Sequence, residues 1–316
     1  MRSFRFLAPM PRLDQPAGRW RDAVRRIEDL GFATVSISDH FTRGWVMEPV
    51  VAMTAAAAAT ERLRVLSLVL GNDYRHPVLV HKAMATLDVL SEGRVEIGLG
   101  AGWMRGDYQA AGIPFDDPAA RIDRLEESVA VLEGLFGPEP FSYSGRHYRI
   151  SGLDGLPKPA QRPRPPLLIG GGGRRVLSVA GRHADMVSVN PSLRDGQVTS
   201  DLLADATAER IDQKIGWVRE AAADAGRRAD DLELQLNLLV CRVTNRAGRV
   251  SEAVSSLVAG GVNPSLLESS PAVLAGSVAR CVEALQERRE RFGISYVNLG
   301  SDLEAVAPIV DRLAGT

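Results

Sequence analysis

The stretch that decides the fold is LRVLSLVLGNDYRHPVLVHKAMATLDVLSEGRVEIGL, from Leu63 to Leu99. Leu63 to Leu70 (LRVLSLVL) reads as a strand. Pro77 then opens a helix with Leu79, Ala83, Met84, Leu87 and Leu90 on one face. Proline suits a first helical position, where its missing N–H would have no intrahelical partner. Val95 to Leu99 (VEIGL) is the next strand. Strand, helix, strand with these connections is the unit of a parallel β/α fold.

The alternation extends in both directions. Upstream, Ser3 to Leu7 (SFRFL) is a first strand. Trp20, Ala23, Val24, Ile27 and Leu30 fall at helical spacing, and Gly31 ends that helix. Ala33 to Ser38 (ATVSIS) is a second strand, and the alanine run to Thr60 lies on a second helix. Downstream, Ile122, Leu125, Val129 and Leu132 mark a helix ending at Gly137. Then come a fifth strand (Leu167 to Gly170), a short helix (Arg174 to His183) and a sixth strand (Asp185 to Val189). A polar loop at 192–200 and a helix at about 205–226 follow. Leu232 to Thr244 is read as one seventh strand. Helical segments are expected at 251–259 and 277–292, around an eighth strand from Ile294 to Leu299 and a closing helix at 302–313.

Eight strands, each followed by a helix, predict a closed (β/α)8 barrel, the TIM-barrel fold, as a single domain over residues 1–316. The rhythm breaks at 138–166, where FSYSGRHYRI suggests a hairpin and LPKPAQRPRPP is too proline-rich for regular structure. That stretch is expected to be an insertion before strand five. An open doubly wound sheet would usually carry G-x-G-x-x-G after its first strand, whereas this chain has APMPRLDQP there.

Composition narrows the function. The 316 residues hold 38 Lys+Arg against 39 Asp+Glu, a net charge of -1, which argues against nucleic-acid or membrane-surface partners. Cys241 and Cys281 form no disulfide framework or metal spacing. No signal peptide is evident at MRSFRFLAP, and the apolar run near Ala52 to Ala59 is too short to span a bilayer. A cytoplasmic protein is expected.

A barrel of this kind carries its chemistry on the residues just after each strand. Here these are Asp39-His40-Phe41, Gly71 to His76, Gly100 to Trp103, Gly170 to Gly173 followed by Arg174 and Arg175, and Asn190. Four consecutive glycines between a strand and a helix let backbone N–H groups converge on an anion such as phosphate, and the two arginines add charge. The alternative is a turn that needs glycine only for positive φ. Gly98, Gly100 and Gly102 alternate along strand four; either a flat ligand lies against that bare backbone, walled by Trp103, or the barrel packs tightly there. His40 is either a proton-transfer group or a rim histidine satisfied by its neighbours. No H-E-x-x-H, G-x-S-x-G or Walker motif occurs, and no metal site is expected. None of the three lysines sits at a strand end for a Schiff base. Chemistry borrowed from a phosphorylated cofactor fits this inventory best.

Four motifs together resemble one family: SISDHF (36–41), NDYRHP (72–77), ATLDVLSEGRVEIGLGAGW (85–103) and PPLLIGGGGRRVL (165–177). They are similar to the bacterial luciferase-like flavin superfamily, and within it to the actinobacterial branch that uses the 8-hydroxy-5-deazaflavin coenzyme F420. The resemblance implies a hydride-transferring oxidoreductase with His40 as acid/base and Asp39 beside the reactive ring. It implies a non-proline cis peptide at Leu68–Val69 behind the ring. Asn72 would line the ring or its tail, Gly100, Gly102 and Trp103 the wall beside it, and Gly171, Gly172 and Gly173 the phosphate cradle. FMN, as in the superfamily's monooxygenases, is the alternative cofactor, and a flavin-binding protein without turnover is the alternative of another class. A small-molecule substrate, a homodimer and a separate flavin or F420 reductase system that recharges the cofactor are further implications. Sugar-phosphate dehydrogenases of the branch carry a catalytic glutamate just after the strand-four glycines. This chain has Trp103 there, which turns the expectation toward a larger, apolar substrate.

Overall fold

A computed structural model describes residues 1–42, 44, 47–192, 204–244 and 270–316 of the chain. Its strands are β1 (Arg5–Pro9), β2 (Thr34–Ile37), β3 (Arg64–Ser67), β4 (Leu70–Gly71), β5 (Val95–Gly100), β6 (Phe141–Ser144), β7 (Arg149–Leu153), β8 (Leu167–Gly171), β9 (Met186–Val189), β10 (Glu233–Asn237), β11 (Val240–Val243), β12 (Val273–Gly276) and β13 (Ile294–Asn298). The described helices are α1 (Ala17–Asp29), α2 (Pro49–Ala59), α3 (Pro77–Leu90), α4 (Arg105–Ala111), α5 (Pro118–Phe136), α6 (Arg174–His183), α7 (Ala208–Asp224), α8 (Val278–Phe292) and α9 (Leu303–Leu313). The parallel order β3-β2-β1-β13-β10-β9-β8-β5-β4 closes through a β3–β5 pairing. With β3 and β4 as two halves of one barrel strand, this is the eight-stranded β/α barrel.

Side-chain alternation sorts each strand into an outer and an inner face. Leu7, Leu66, Leu168, Met186 and Tyr296, from five barrel strands, pack together as an interior cluster with Leu68 and Val69. A larger cluster joins the outward strand residues, such as Phe6, Val35, Val65 and Ile97, to the helices. The N-terminal end of the barrel is plugged by charge. Arg5 pairs with Glu96 and, at 2.7 Å, with Glu233, while Arg64 reaches Glu96 at 2.7 Å. Tyr296 donates to Glu96 at 2.8 Å. Burial pushes the Glu96 carboxyl up, but Arg5 and Arg64 outweigh it and hold it low. That end is closed, and the residues that follow the strands lie at the other.

Three departures from the sequence reading have physical causes. The third strand is not continuous. Between Leu66 and Leu70 it has one residue more than the matching stretch of β5, and the Leu68–Val69 peptide is cis. The seventh strand breaks after Asn237. Leu238 N still donates to Asn298 O at 3.3 Å, but Leu239 N turns to Ala272 O at 2.8 Å, and β11 pairs with β12 in a separate parallel sheet. Residues 105–111, to which the apolar periodicity assigns no element, form α4, ended by Gly112 in the left-handed region at φ 68°. The insertion does hold an antiparallel pair, β6–β7, anchored where Glu127 accepts the backbone N–H groups of Arg146, His147 and Tyr148. The helix expected at 251–259 and most of the loop at 192–200 lie outside the described residues.

Candidate active site

The mouth is built from loops after β2, β4, β5, β8, β9, β10 and β13. His40 sits just beyond β2. Its Nδ1 lies 2.6 Å from Oδ2 of Asp107, a fully buried carboxylate on α4. Asp107 also accepts from the Thr42 backbone N–H at 3.1 Å and the Thr42 hydroxyl at 2.5 Å. Burial pushes the Asp107 carboxyl up, yet the bonds from Thr42 and His40 prevail and hold it below the ordinary carboxylate value. An ionised carboxylate only accepts, so Nδ1 carries the proton and the lone pair of the neutral ring falls on Nε2. The Trp103 ring stands edge-on to His40, centroids 5.5 Å apart and planes at 80°. Asp107 is not legible from sequence because its seven-residue helix carries no apolar period. Its only signal was position, seven residues past the end of β5.

Asp39 has a different task. One oxygen accepts from the Gly71 N–H at 3.0 Å, and the carboxylate is held by the Arg75 guanidinium, which also reaches Glu48 at 2.8 Å. Only 1% of its side chain is exposed. Its charge thus ties the β2 loop to the loop after β4. Asn72 is buried there and donates to the Tyr148 hydroxyl at 3.4 Å, which joins the β6–β7 insertion to the mouth.

The glycines divide by what would meet a side chain. A Cβ on Gly98 would lie 1.8 Å from Ser67 O, and one on Gly100 would lie 2.6 Å from Val69 Cγ2. These glycines therefore make room for the bulge at 67–69, which is the tight-packing alternative. Gly102 has φ 75°, and a Cβ there would strike the Tyr108 hydroxyl. Arg121 caps the carbonyls of Ala101 and Gly102, fixing this loop in front of Trp103.

None of Gly170 to Gly173 has positive φ, so the turn-only reading of that run falls. A Cβ on Gly171 would meet Val176, and one on Gly172 would lie 2.5–2.6 Å from the Asn190–Pro191 backbone. Gly173 faces open space and is the N-cap of α6 without a side-chain cap. The first N–H groups of a helix lack intrahelical partners and favour an anion, so an open Gly173 fits a phosphate. The two arginines do not add to it: Arg174 pairs with Glu220 at 3.1 Å, and Arg175 pairs with Asp123.

Across the mouth, five neutral side chains from three neighbouring strands form one hydrogen-bonded row. They are Ser188, Asn190, Gln235, Asn237 and Asn298. Of these, only Asn190 was singled out from sequence. Among the described residues no group of three His, Cys, Asp or Glu side chains is placed to hold a metal, and no helix is long and apolar enough to cross a membrane.

The family model described as luciferase-like monooxygenase matches residues 3–291. An FMNH2-dependent dimethylsulfone monooxygenase from Pseudomonas putida is 32% identical over 202 residues, 62% of this chain and 55% of that protein. An F420-dependent glucose-6-phosphate dehydrogenase from Intrasporangium calvum is 32% identical over 172 residues, 52% of this chain and 51% of the other. The chain thus spans about half the length of these curated relatives. The coenzyme F420-dependent tetrahydromethanopterin reductase from Methanopyrus kandleri superposes with a TM-score of 0.78 at 19% identity. That match covers 99% of this chain and 100% of the other, a likeness of fold.

Proposed function

The chain belongs to the luciferase-like monooxygenase family, and from that premise we propose an oxidoreductase that uses coenzyme F420 to exchange a hydride with an organic substrate at the barrel mouth. The observation that carries this reading is the His40–Asp107 pair. Hydride transfer to or from a polar bond requires a matching proton, and the pair provides one site for it. Asp107 holds the ring with Nδ1 protonated, so Nε2 takes or gives the proton, and Asp107 stabilises the charged ring. Thr42 keeps Asp107 ionised and oriented.

When bound, the deazaflavin supplies the two-electron carrier that the side chains lack. Leu68, Val69, Asn72, Gly102 and Trp103 would hold its ring, with Gly100 making room for the bulge that carries Val69, and Gly171 to Gly173 with the start of α6 its phosphate. Asp39 supports this site from behind, because its carboxylate is committed to Arg75 and Gly71. Trp103 carries only a non-titrating indole N–H and cannot relay a proton, which supports a substrate other than a sugar phosphate, larger and more apolar. A second reading, an FMN-dependent monooxygenase, is favoured by the likeness to the Pseudomonas putida enzyme. Titration of the protein with F420 and with FMN, followed by absorbance, separates the two. Saturable F420 binding at least about tenfold tighter than FMN supports the first reading; tight FMN with negligible F420 binding sinks it.

A further inference from the structure

The amide row on β9, β10 and β13 has a fixed hydrogen-bond direction. Asn237 and Asn298 are register partners at the ends of adjacent parallel strands. Asn298 Nδ2 donates to Asn237 Oδ1 at 3.0 Å, and Gln235 Nε2 donates to the same oxygen at 3.2 Å. Asn237 Nδ2 donates to Asn190 Oδ1 at 3.0 Å. Asn190 Nδ2 serves the Ser188 carbonyl at 3.2 Å and hydroxyl at 3.0 Å. Asn298 Oδ1 accepts from Gly300 N at 3.0 Å.

Each carboxamide has two N–H donors and one oxygen with two lone pairs. Counting these, all three asparagine oxygens already have a donor and Asn237 Oδ1 has two. Asn190 has used both N–H groups. Gln235, Asn237 and Asn298 each keep one unused N–H; Gln235 is fully buried, whereas Asn237 and Asn298 are half-buried. Asn190 Oδ1 and Asn298 Oδ1 each keep a second lone pair, but every oxygen of the row already has a donor while these N–H groups have no acceptor, so the first unmet demand is for an acceptor. Among the described residues no unpaired charge accompanies it. The nearby Lys214 ammonium has its three donors on Asn190 O, Asp205 O and the Asp205 carboxylate, at 2.8, 3.0 and 2.6 Å, and so offers no counter-charge to a phosphate or carboxylate.

We propose that Asn237 and Asn298 form a subsite for an uncharged acceptor oxygen, a carbonyl or hydroxyl, and so select neutral oxygen-bearing ligands. The subsite deepens the oxidoreductase reading and rests on it for its role in turnover. Two sources carry this chemistry: a substrate oxygen and a ring carbonyl of the cofactor.

The test uses the full chain without cofactor and a matched pair of probes, cyclohexanone and methylenecyclohexane, which differ in one oxygen. Binding is read by ligand-observed NMR for the wild type, Asn298→Leu and Asn298→Asp. The aspartate variant keeps the acceptor for Gly300 and replaces the donor. F420 and FMN affinities are measured on the same three proteins. A wild-type preference for the ketone of about tenfold, lost in both variants at unchanged cofactor affinity, supports the subsite with substrate as its ligand. Cofactor binding weakened about tenfold in both variants supports it with the cofactor ring as its ligand. If the wild type does not prefer the ketone and the variants bind cofactor normally, the proposal is overturned. Failure of both cofactors to bind the wild type would count against the oxidoreductase reading alone, because the ketone preference is measured without them.

Discussion

The two sides of the barrel mouth solve the same problem with opposite chemistry. The β2–β5 side is charged: His40–Asp107, Asp39–Arg75–Glu48 and Asp73–Arg124–Asp116 hold its loops. On the β9–β13 side the groups that link the strand ends are neutral, a row of amides and one hydroxyl, and the Lys214–Asp205 pair holds only the loop after β9. Loops anchored by buried charges keep their geometry only while those charges persist, whereas amides keep theirs at any ordinary pH. The difference suggests a division of work, with proton handling on one side and recognition of neutral oxygen on the other.

The largest expected effect lies on the charged side. His40→Gln should lower turnover by about 10²–10⁴-fold, the usual worth of a positioned acid or base, and flatten the pH–rate profile. Asn298→Leu should leave the shape of that profile intact. If both variants change the profile alike, the division fails. Next is Asp39→Asn, which removes the buried charge facing Arg75. It should cost about 3 kcal/mol of stability, read by denaturant unfolding.

A smaller effect is expected from Asp107→Asn, about 10–100-fold in turnover because the tautomer of His40 is no longer enforced. This variant also has a pH signature. The folded Asp107 carboxyl lies below its ordinary 3.8, so its stabilisation is present above that value and is lost as pH falls through the folded value. The acid limb of the stability curve should therefore be shallower in Asp107→Asn and unaltered in Asn298→Leu. The smallest structural effect is expected at Gly173, between the two sides. Gly173→Ala meets no atom and should change stability by less than about 0.5 kcal/mol, while weakening binding of the phosphorylated cofactor.

The barrel was legible because its signal is periodic. The β/α alternation and proline-started helices such as Pro77–Leu90 survive any error at element ends. His40 and the glycine run were legible because they follow strands directly. Asp107 was not, since its helix is only seven residues long and carries no apolar period. The amide row was hidden by reading Leu232 to Thr244 as one strand. Its clue was the alternation Glu233-Leu-Gln235-Leu-Asn237, polar at every inward position of a strand that should be apolar on both faces. Tight packing at Gly98 and Gly100 is one of the two readings the sequence allows, but it cannot be chosen there, because the atoms that fill their space, Ser67 O and Val69 Cγ2, belong to a bulge on the neighbouring strand.

The central claim, a histidine poised for proton transfer by a buried carboxylate, can be tested without knowing the substrate. The protein labelled with ¹⁵N-histidine holds five such rings, and His40 is assigned by the signal lost in His40→Gln. The account predicts that neutral His40 carries its proton on Nδ1, and that this preference is lost in Asp107→Asn. A wild-type His40 protonated on Nε2 and unaffected by Asp107→Asn would contradict it.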